Sequence, residues 1–418
     1  MAGAEPPSVA RDPARRRVYL DFAATSPLSQ GAQGAIRAAE EQAFGNPSSA
    51  HWAGAVANRV LEAARVAVLR RAGVGERAVF TSGASESNWL AILGLLGASG
   101  AGRLLVSSVE HESVLATAEH VRSIGVETTE IAVDRLGRVE LDHLRDLLRS
   151  GPAVVAVMHA NNEVGTLQPV AEIADLVHGS GGTFHVDAVQ SFGKVALGSL
   201  ADADTIAVSA HKTGGPKGVG ALLVHSGVEL RPPFGGGSQE YGLRHGTQNV
   251  PGIAGFARAA AESDPATVGP LLRGRAESLR SRLARDVPEI RFTGDLESRA
   301  PHIVSCIIPG VAGDVLTESL SALGVAASVG SACHADAVET SHVLRAMGAS
   351  TAEASCALRL SVGAATTAED IEYGVWAISE AVRRLRLILL KARAAGAPGS
   401  RRRRNRAGHG GPHGGASA

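Results

Sequence analysis

The chain has little cysteine, no long apolar run and no excess of charge of either sign. Its 418 residues include three cysteines, Cys306, Cys333 and Cys356, in unrelated contexts and without a CxxC pair. Neither a disulfide framework nor a structural zinc site is therefore indicated. No apolar run approaches the roughly 20 residues that span a bilayer. The start MAGAEPPSVARDPARRR lacks the apolar segment of a signal peptide. We therefore expect a cytoplasmic protein.

Acidic and basic residues are equal in number, 41 each. This balance creates no net field that would attract nucleic acid or a membrane surface, so we expect neither as a partner. Any partner must be inferred from local sites.

Lysine is scarce, and its placement is therefore informative. Only four lysines occur among the 41 basic residues, and Lys212 follows the apolar run TIAVS in the segment VSAHKTGGPKGVGALLV. Arginine keeps its proton at usable pH, whereas a desolvated lysine can lose it and form a Schiff base with an aldehyde. Lys212 is thus a candidate for covalent chemistry.

The length predicts two or three domains, and the composition, 44% hydrophobic and 20% charged, is that of a globular protein. We predict a disordered N-terminus at 1–17, a large α/β domain at 18–260, a smaller α+β domain at 261–392 and a disordered basic tail at 393–418. The N-terminal segment is a candidate for a further contribution to the smaller domain. The RRRR run of the tail is interpreted as a solvated segment in preference to a site for RNA or acidic proteins.

Short apolar runs in the first part of the chain end in polar clusters. They read AVFTSGASES, RLLVSSVEHES, AVVAVMHANNE, TFHVDAVQS and TIAVSAHKTG, and helical patterns lie among them, as at 54–73 and 140–150. Continuous apolar strands alternating with helices indicate a mostly parallel sheet covered on both faces. Such sheets bind ligands at the carboxyl ends of their strands, so we expect the polar clusters to meet there.

These strand ends carry the groups that pyridoxal phosphate (PLP) requires. TSGASESN offers Ser85 and the N–H groups of a helix start to an anion. The carboxylate of Asp187, inside an apolar strand, needs a partner such as a protonated ring nitrogen. His111 is able to stack on a ring, and Lys212 supplies the amine. Together these groups suit PLP.

Each of these features alone has an ordinary structural explanation. Ser85 can be a helix cap, and a lone histidine such as His111 is more often a structural residue. A nucleotide-binding loop is a weaker alternative because the sequence has no GxxxxGK[ST] motif, and the glycines of GGPKGVG follow Lys212 instead of preceding it.

Ten motifs, taken in order, resemble those of cysteine desulfurases of the class V aminotransferase group, from about residue 18 to about residue 385. They are LDFAATSPL, GNPSSAH, TSGASESN, EHESV, HANNEVGT, VDAVQSFGKV, SAHKTGGPKGVGAL, GLRHGTQNV, GSACHA and LRLSVG. The resemblance implies the PLP-dependent transferase fold of type I. In that fold a large domain with a mostly parallel central sheet accompanies a smaller α+β domain.

The resemblance also implies roles for individual residues. Lys212 would hold PLP, His111 would stack on its ring and Asp187 would pair with the ring nitrogen. Asn162 and Arg359 would hold the substrate amino acid, Arg359 through the substrate carboxylate. The other cofactor contacts implied are Ala84, Ser85, Asn162, Gln190 at the phenolic oxygen, Ser209, His211 and Thr247. Thr247 would come from the neighbouring subunit of a homodimer.

The reaction implied by the resemblance depends on Cys333. Its thiolate would take the sulfur of L-cysteine as a persulfide, release L-alanine and pass the sulfur to an acceptor protein. That acceptor could serve iron–sulfur clusters, thiocofactors or tRNA thiolation. Cys306 and Cys356 are interpreted as inert structural residues.

Two alternatives remain open at the level of sequence. The segment ASVGSACH also resembles selenocysteine lyases, and a catalytically silent binding partner in sulfur assembly is a third hypothesis. The segment GGGSQEYGLRHGT departs from the family pattern by an apparent insertion of Ser238 and by Tyr241 and His245.

Overall fold

The computed structural model describes residues 16–233, 235–330 and 340–396, with side chains described as far as residue 391. Its helices are α1 Gln30–Gln42, α2 Trp52–Ala72, α3 Ala84–Ser99, α4 Glu112–Ser123, α5 Leu141–Leu148, α6 Val170–Gly179, α7 Val250–Glu262, α8 Pro265–Asp286, α9 Gly313–Ala322, α10 His342–Ala346, α11 Thr351–Ala354 and α12 Ala368–Gly396.

The strands are β1 Val18–Tyr19, β2 Arg77–Thr81, β3 Arg103–Ser107, β4 Glu127–Ile131, β5 Val154–Met158, β6 Thr183–Asp187, β7 Thr205–Ser209, β8 Gly220–Val224, β9 Arg291–Phe292, β10 Ile303–Ile307, β11 Val325–Ala326 and β12 Ala357–Ser361. Short 3-10 helices cover Gly198–Leu200, Ala210–Lys212 and Gln239–Gly242.

A seven-stranded sheet forms the centre of the larger part, in the order β2-β8-β7-β6-β5-β3-β4. The pairs among β3, β4, β5, β6 and β7 are parallel, and β8 is antiparallel to both of its neighbours. Strands β5, β7 and β8 are buried along their whole length. Their continuous apolar runs follow from helices on both faces of the sheet. The predicted fold class is confirmed.

The helices begin and end where local sequence dictates. His51 caps α2 by accepting a hydrogen bond from the N–H of Gly54, and Gly73 ends it in the left-handed conformation at φ 69°. Helix α8 has Asp264 as its cap and proline at its first position, which lacks the N–H that would be unpaired there. Such signals place the helices along the chain.

A second core lies in the C-terminal part. Strands β12, β10 and β9 form an antiparallel sheet, and β1 pairs with β11 in parallel. Val18 and Leu20 pack in this core, so the N-terminal segment contributes to it.

The boundary predicted at residue 260 lies inside α7, whose Ile253 and Phe256 belong to the first core, and α8 contributes Leu272 to the second. Helix α12 continues to Gly396, a few residues into the segment predicted as a tail. No helix in the described ranges is long and apolar enough to cross a membrane.

Candidate active site

A cavity of about 460 Å³ opens where β5, β6 and β7 end and α3 and α4 begin. This size falls in the range of small-molecule sites. The cavity is lined by nine of the residues that the sequence nominated: Ala84, Ser85, His111, Asn162, Asp187, Gln190, Ser209, His211 and Lys212. The predicted meeting of the polar strand ends therefore occurs in the structure.

Lys212 ends the 3-10 turn that follows β7. Its Nζ donates to the backbone oxygens of Ala23, at 2.7 Å, and Ala24, at 2.8 Å. Both acceptors come from the N-terminal segment, which therefore fixes the amine at the edge of the sheet. The Lys212 side chain lies between the larger part of the chain and the segment that joins the second core.

One end of the cavity is suited to an anion. Helix α3 begins there at Ala84, so its first N–H groups are available to a ligand. The Oγ of Ser209 is buried and has no hydrogen-bond partner among the described residues. Gly220 lets β8 approach this loop, because a Cβ there would lie 2.7 Å from the carbonyl carbon of Gly83.

His211, beside this anion end, is held neutral. Burial, together with repulsion from Lys212, Lys217 and Lys194, lowers its pKa to about 4. Its Nδ1 lies 3.1 Å from the hydroxyl of Thr25. A neutral imidazole at this position can donate one hydrogen bond to a phosphate.

Asp187 is held by a buried network that sequence reasoning missed. Its Oδ1 accepts from the N–H of Val189 at 2.9 Å, and its Oδ2 accepts from Nδ2 of Asn88 at 2.9 Å. The Oδ1 of Asn88 lies 3.0 Å from Nε2 of His185, whose Nδ1 meets the hydroxyl of Thr205 at 2.9 Å. Asn88 stands in TSGASESN, but nothing local to that motif indicates a partner 99 residues away.

His111 caps α4 and faces the cavity. Its Nδ1 accepts from the N–H of Ser113 at 3.1 Å and lies 2.9 Å from the Ser113 hydroxyl. Burial lowers the pKa of His111, the charge of Asp187 opposes that shift, and Lys212 adds to it. The ring is thus fixed through Nδ1 and favoured in its neutral form.

The preceding residue, Glu110, is fully buried in the turn between β3 and α4. Burial raises its pKa to about 8, with a contribution from the charge of Asp187, while hydrogen bonds from Ser107 and Met158 oppose the shift. Its Oε1 accepts from the hydroxyl of Ser107 at 2.5 Å and from the N–H of Met158 at 2.8 Å. The Glu110 carboxyl is therefore favoured in its protonated form near neutral pH.

Arg359 lies beside the cavity and does not line it. Its Nη1 donates to the backbone oxygen of Asn162 at 2.9 Å, and its Nη2 donates to Oδ1 of Asp21 at 3.0 Å. Its Nε is buried without a partner within the described ranges. The pair with Asp21 was not foreseen from the sequence.

One nominated residue, Thr247, does not meet the others in its own chain. Thr247 is exposed and outside the cavity of its own chain. Cys333 lies outside the described residues. Cys306 is buried in β10, where burial raises its pKa to about 12, and Cys356 is half-buried. A thiol with so high a pKa is a poor nucleophile, in agreement with the structural role expected for Cys306.

The donor set fits PLP. An unpaired buried hydroxyl and a helix start face one end of the cavity, and a fixed carboxylate and an amine face the rest. A phosphate, a ring nitrogen and an aldehyde are the groups of PLP that these side chains match.

The class V aminotransferase family profile matches residues 18–373. The chain belongs to the class V aminotransferase family. Members of this family depend on PLP, so the predictions of the family and of the cofactor are confirmed.

Individual relatives of this class V aminotransferase agree with that assignment. It is 39% identical to cysteine desulfurase IscS 1 of Archaeoglobus fulgidus, over 88% of this chain and 97% of that protein. A solved NifS-like protein aligns with a TM-score of 0.81 at 34% identity, covering 88% of this chain and all of that one. The structure of SspA in complex with cysteine aligns with a TM-score of 0.72 at 32% identity, covering 83% of this chain and 99% of that one.

Proposed function

We propose that this chain is a PLP-dependent cysteine desulfurase that converts L-cysteine to L-alanine and leaves the sulfur on Cys333 as a persulfide. The observation that carries the proposal is the meeting of the Lys212 amine, the Asp187 carboxylate and the unpaired Ser209 hydroxyl in one cavity. The names of the relatives, cysteine desulfurases and a protein complexed with cysteine, support the substrate.

When bound, PLP supplies an electron sink for negative charge at the alpha carbon of the substrate. Asn88 and Val189 donate to the Asp187 carboxylate, so it is held in place to face the ring nitrogen. Lys212 removes and returns the proton at the alpha carbon as a neutral amine.

Arg359 is proposed to bind the substrate carboxylate. Its Nη2 would exchange the Asp21 carboxylate for that of the substrate, while Nη1 keeps its bond to the backbone of Asn162. A planar guanidinium is suited to such an exchange because it binds either carboxylate through the same donors.

The sulfur step balances without an oxidant. The Cys333 thiolate attacks the substrate sulfur, the carbon–sulfur bond breaks, and the electron pair left on the beta carbon takes a proton to give alanine. The protein thiol is oxidised to a persulfide while the beta carbon is reduced. The sulfur then passes to an acceptor protein.

Mass spectrometry after brief exposure to cysteine tests this step. We expect added sulfur on the peptide that contains Cys333, and none on those with Cys306 or Cys356. Cys333→Ser should bind PLP normally and release no alanine from cysteine. Added sulfur on Cys306, or wild-type turnover by Cys333→Ser, would overturn the mechanism. Alanine release from selenocysteine, measured in parallel, separates a desulfurase from a selenocysteine lyase.

We also propose a homodimer with shared active sites. Thr247 is exposed and outside its own cavity, and the aromatic rings of Phe44 and Trp52 are 67% and 71% exposed while packing edge to face. Exposed aromatic groups of this size favour burial against a second copy. A mixture of Lys212→Ala and Thr247→Ala subunits should recover activity, because one site of each mixed dimer is intact. No recovery in mixed dimers would exclude sharing.

A further inference from the structure

Gln190 is held at both ends of its side-chain amide. Its Nε2 donates to the backbone oxygen of Ala23 at 2.9 Å, and its Oε1 lies 3.1 Å from Nε2 of His302. Gln190 is 4% exposed and His302 is fully buried. His302 reaches this position from the second core, 112 residues further along the chain.

The direction of each hydrogen bond follows from chemistry. A backbone carbonyl can only accept, so the amide NH₂ of Gln190 faces Ala23 and the amide oxygen faces His302. His302 must therefore carry its proton on Nε2 and donate to Oε1. One amide hydrogen of Gln190 is used by Ala23, and the other remains for the cavity that Gln190 lines.

The surroundings keep His302 in the tautomer that this bond requires. Burial lowers the pKa of His302 well below its ordinary value, and repulsion from Lys194, Arg359 and Lys212 adds to the effect. A neutral imidazole with its proton on Nε2 leaves Nδ1 bare, and Nδ1 is buried with no partner among the residues described. No acceptor among the described residues lies at Nδ1 to draw the imidazole proton away from Nε2.

We propose that His302 is a positioning residue that holds the Gln190 amide with its N–H toward the phenolic oxygen of PLP. The inference rests on the proposed function, which places PLP in this cavity. Gln190 then acts only as a donor, and a donor favours the ionised form of the phenolic oxygen.

Loss of the His302 donor would release this arrangement. The amide oxygen would remain buried and unpaired, which costs more free energy than a single neutral hydrogen bond contributes. The bond to Ala23 is thus too weak to hold the amide, which would turn to bring its oxygen toward the cavity. An acceptor would then face the phenolic oxygen.

Two substitutions at His302 separate this role from simple packing. His302→Leu fills the space and cannot donate, whereas His302→Gln retains an N–H near the position of Nε2. His159→Leu is the control, because it removes another buried histidine, whose Nδ1 lies 3.0 Å from the Ser191 hydroxyl and which has no hydrogen bond to Gln190 among the described residues. Dialysis measures PLP affinity, and a pH titration of the visible absorption gives the apparent pKa of the bound cofactor.

We expect His302→Leu to bind PLP about tenfold more weakly and to raise the apparent pKa of the cofactor by about one unit. His302→Gln should stay within about twofold of wild type in affinity, and His159→Leu should leave the cofactor pKa unchanged. In a Gln190→Leu background, the substitution His302→Leu should have no further effect on that pKa.

The inference is overturned if a folded His302→Leu keeps the wild-type cofactor pKa, or if the shift persists in the Gln190→Leu background. It is also overturned if His302→Gln behaves as His302→Leu does. Failure of the wild-type protein to bind PLP would instead overturn the proposed function, so the two failures are distinguishable.

Discussion

Replacement of Glu240 by glutamine should destabilise the protein by about 3–5 kcal/mol, because it removes the buried carboxylate that pairs with the Arg65 charge. Glu240 has a fully buried side chain and accepts from Nη1 of Arg65 at 2.8 Å. It also accepts from Nη2 of Arg65 at 3.2 Å, from the N–H of Phe80 at 2.8 Å and from Nε2 of Gln248 at 3.2 Å.

The backbone at this position depends on the same contacts. Glu240 and Tyr241 have φ values of 47° and 62°, in the left-handed region that non-glycine residues rarely adopt. The Arg65 guanidinium lies 5.1 Å from the ring centroid of Tyr241. The ion pair and this contact hold the segment that contains the apparent insertion of Ser238. The same segment continues along the chain to Thr247.

The chain provides a matched control in Glu62. This residue also pairs with Arg65, at 3.2 Å, but its side chain is 51% exposed. Glu62→Gln should cost less than about 1 kcal/mol, because water already screens the pair. Urea unfolding of the two variants without cofactor, followed by circular dichroism, measures the difference. If the two variants lose the same free energy of unfolding within about 1 kcal/mol, Glu240 is not the partner that compensates the Arg65 charge.

Three further predictions address the cavity. Borohydride should fix PLP covalently to the wild type and not to Lys212→Ala; retained labelling would place the attachment on another residue. Asp187→Asn should bind PLP weakly and lose most activity, since an amide cannot keep the ring nitrogen protonated, and normal turnover would exclude that partnership. The pKa of Glu110 is about 8 in the folded protein, against an ordinary 4.5. The free energy of unfolding of the wild type should therefore fall as the pH rises between these two values. Unfolding at several pH values should show the stability of Glu110→Gln rising relative to that of the wild type, by up to about 1.4 kcal/mol per pH unit between these values. A difference in stability that stays constant with pH would contradict a raised pKa for this buried carboxyl.

Local patterns of residue types were enough to predict the sheet class and most of the cavity. Apolar strands ending in polar clusters predict a parallel sheet, and strands that run parallel bring their carboxyl ends to one edge. Asp187, Ser209 and Lys212 were therefore expected to meet before their distances were known, and they line one cavity. Lys212 could be singled out because lysine is scarce in the chain and because Lys212 follows an apolar run.

The residues that support these groups could not be predicted from local patterns, because the fold brings them from distant parts of the chain. Asn88 meets Asp187, His302 meets Gln190 and Arg359 meets Asp21 across 99, 112 and 338 residues of chain. Such contacts depend on the order of the strands and on how the second core packs against the first, and neither is encoded by a local pattern of residue types. A buried polar group requires a partner, but the sequence does not say which one, because any donor that the fold brings within about 3 Å satisfies it.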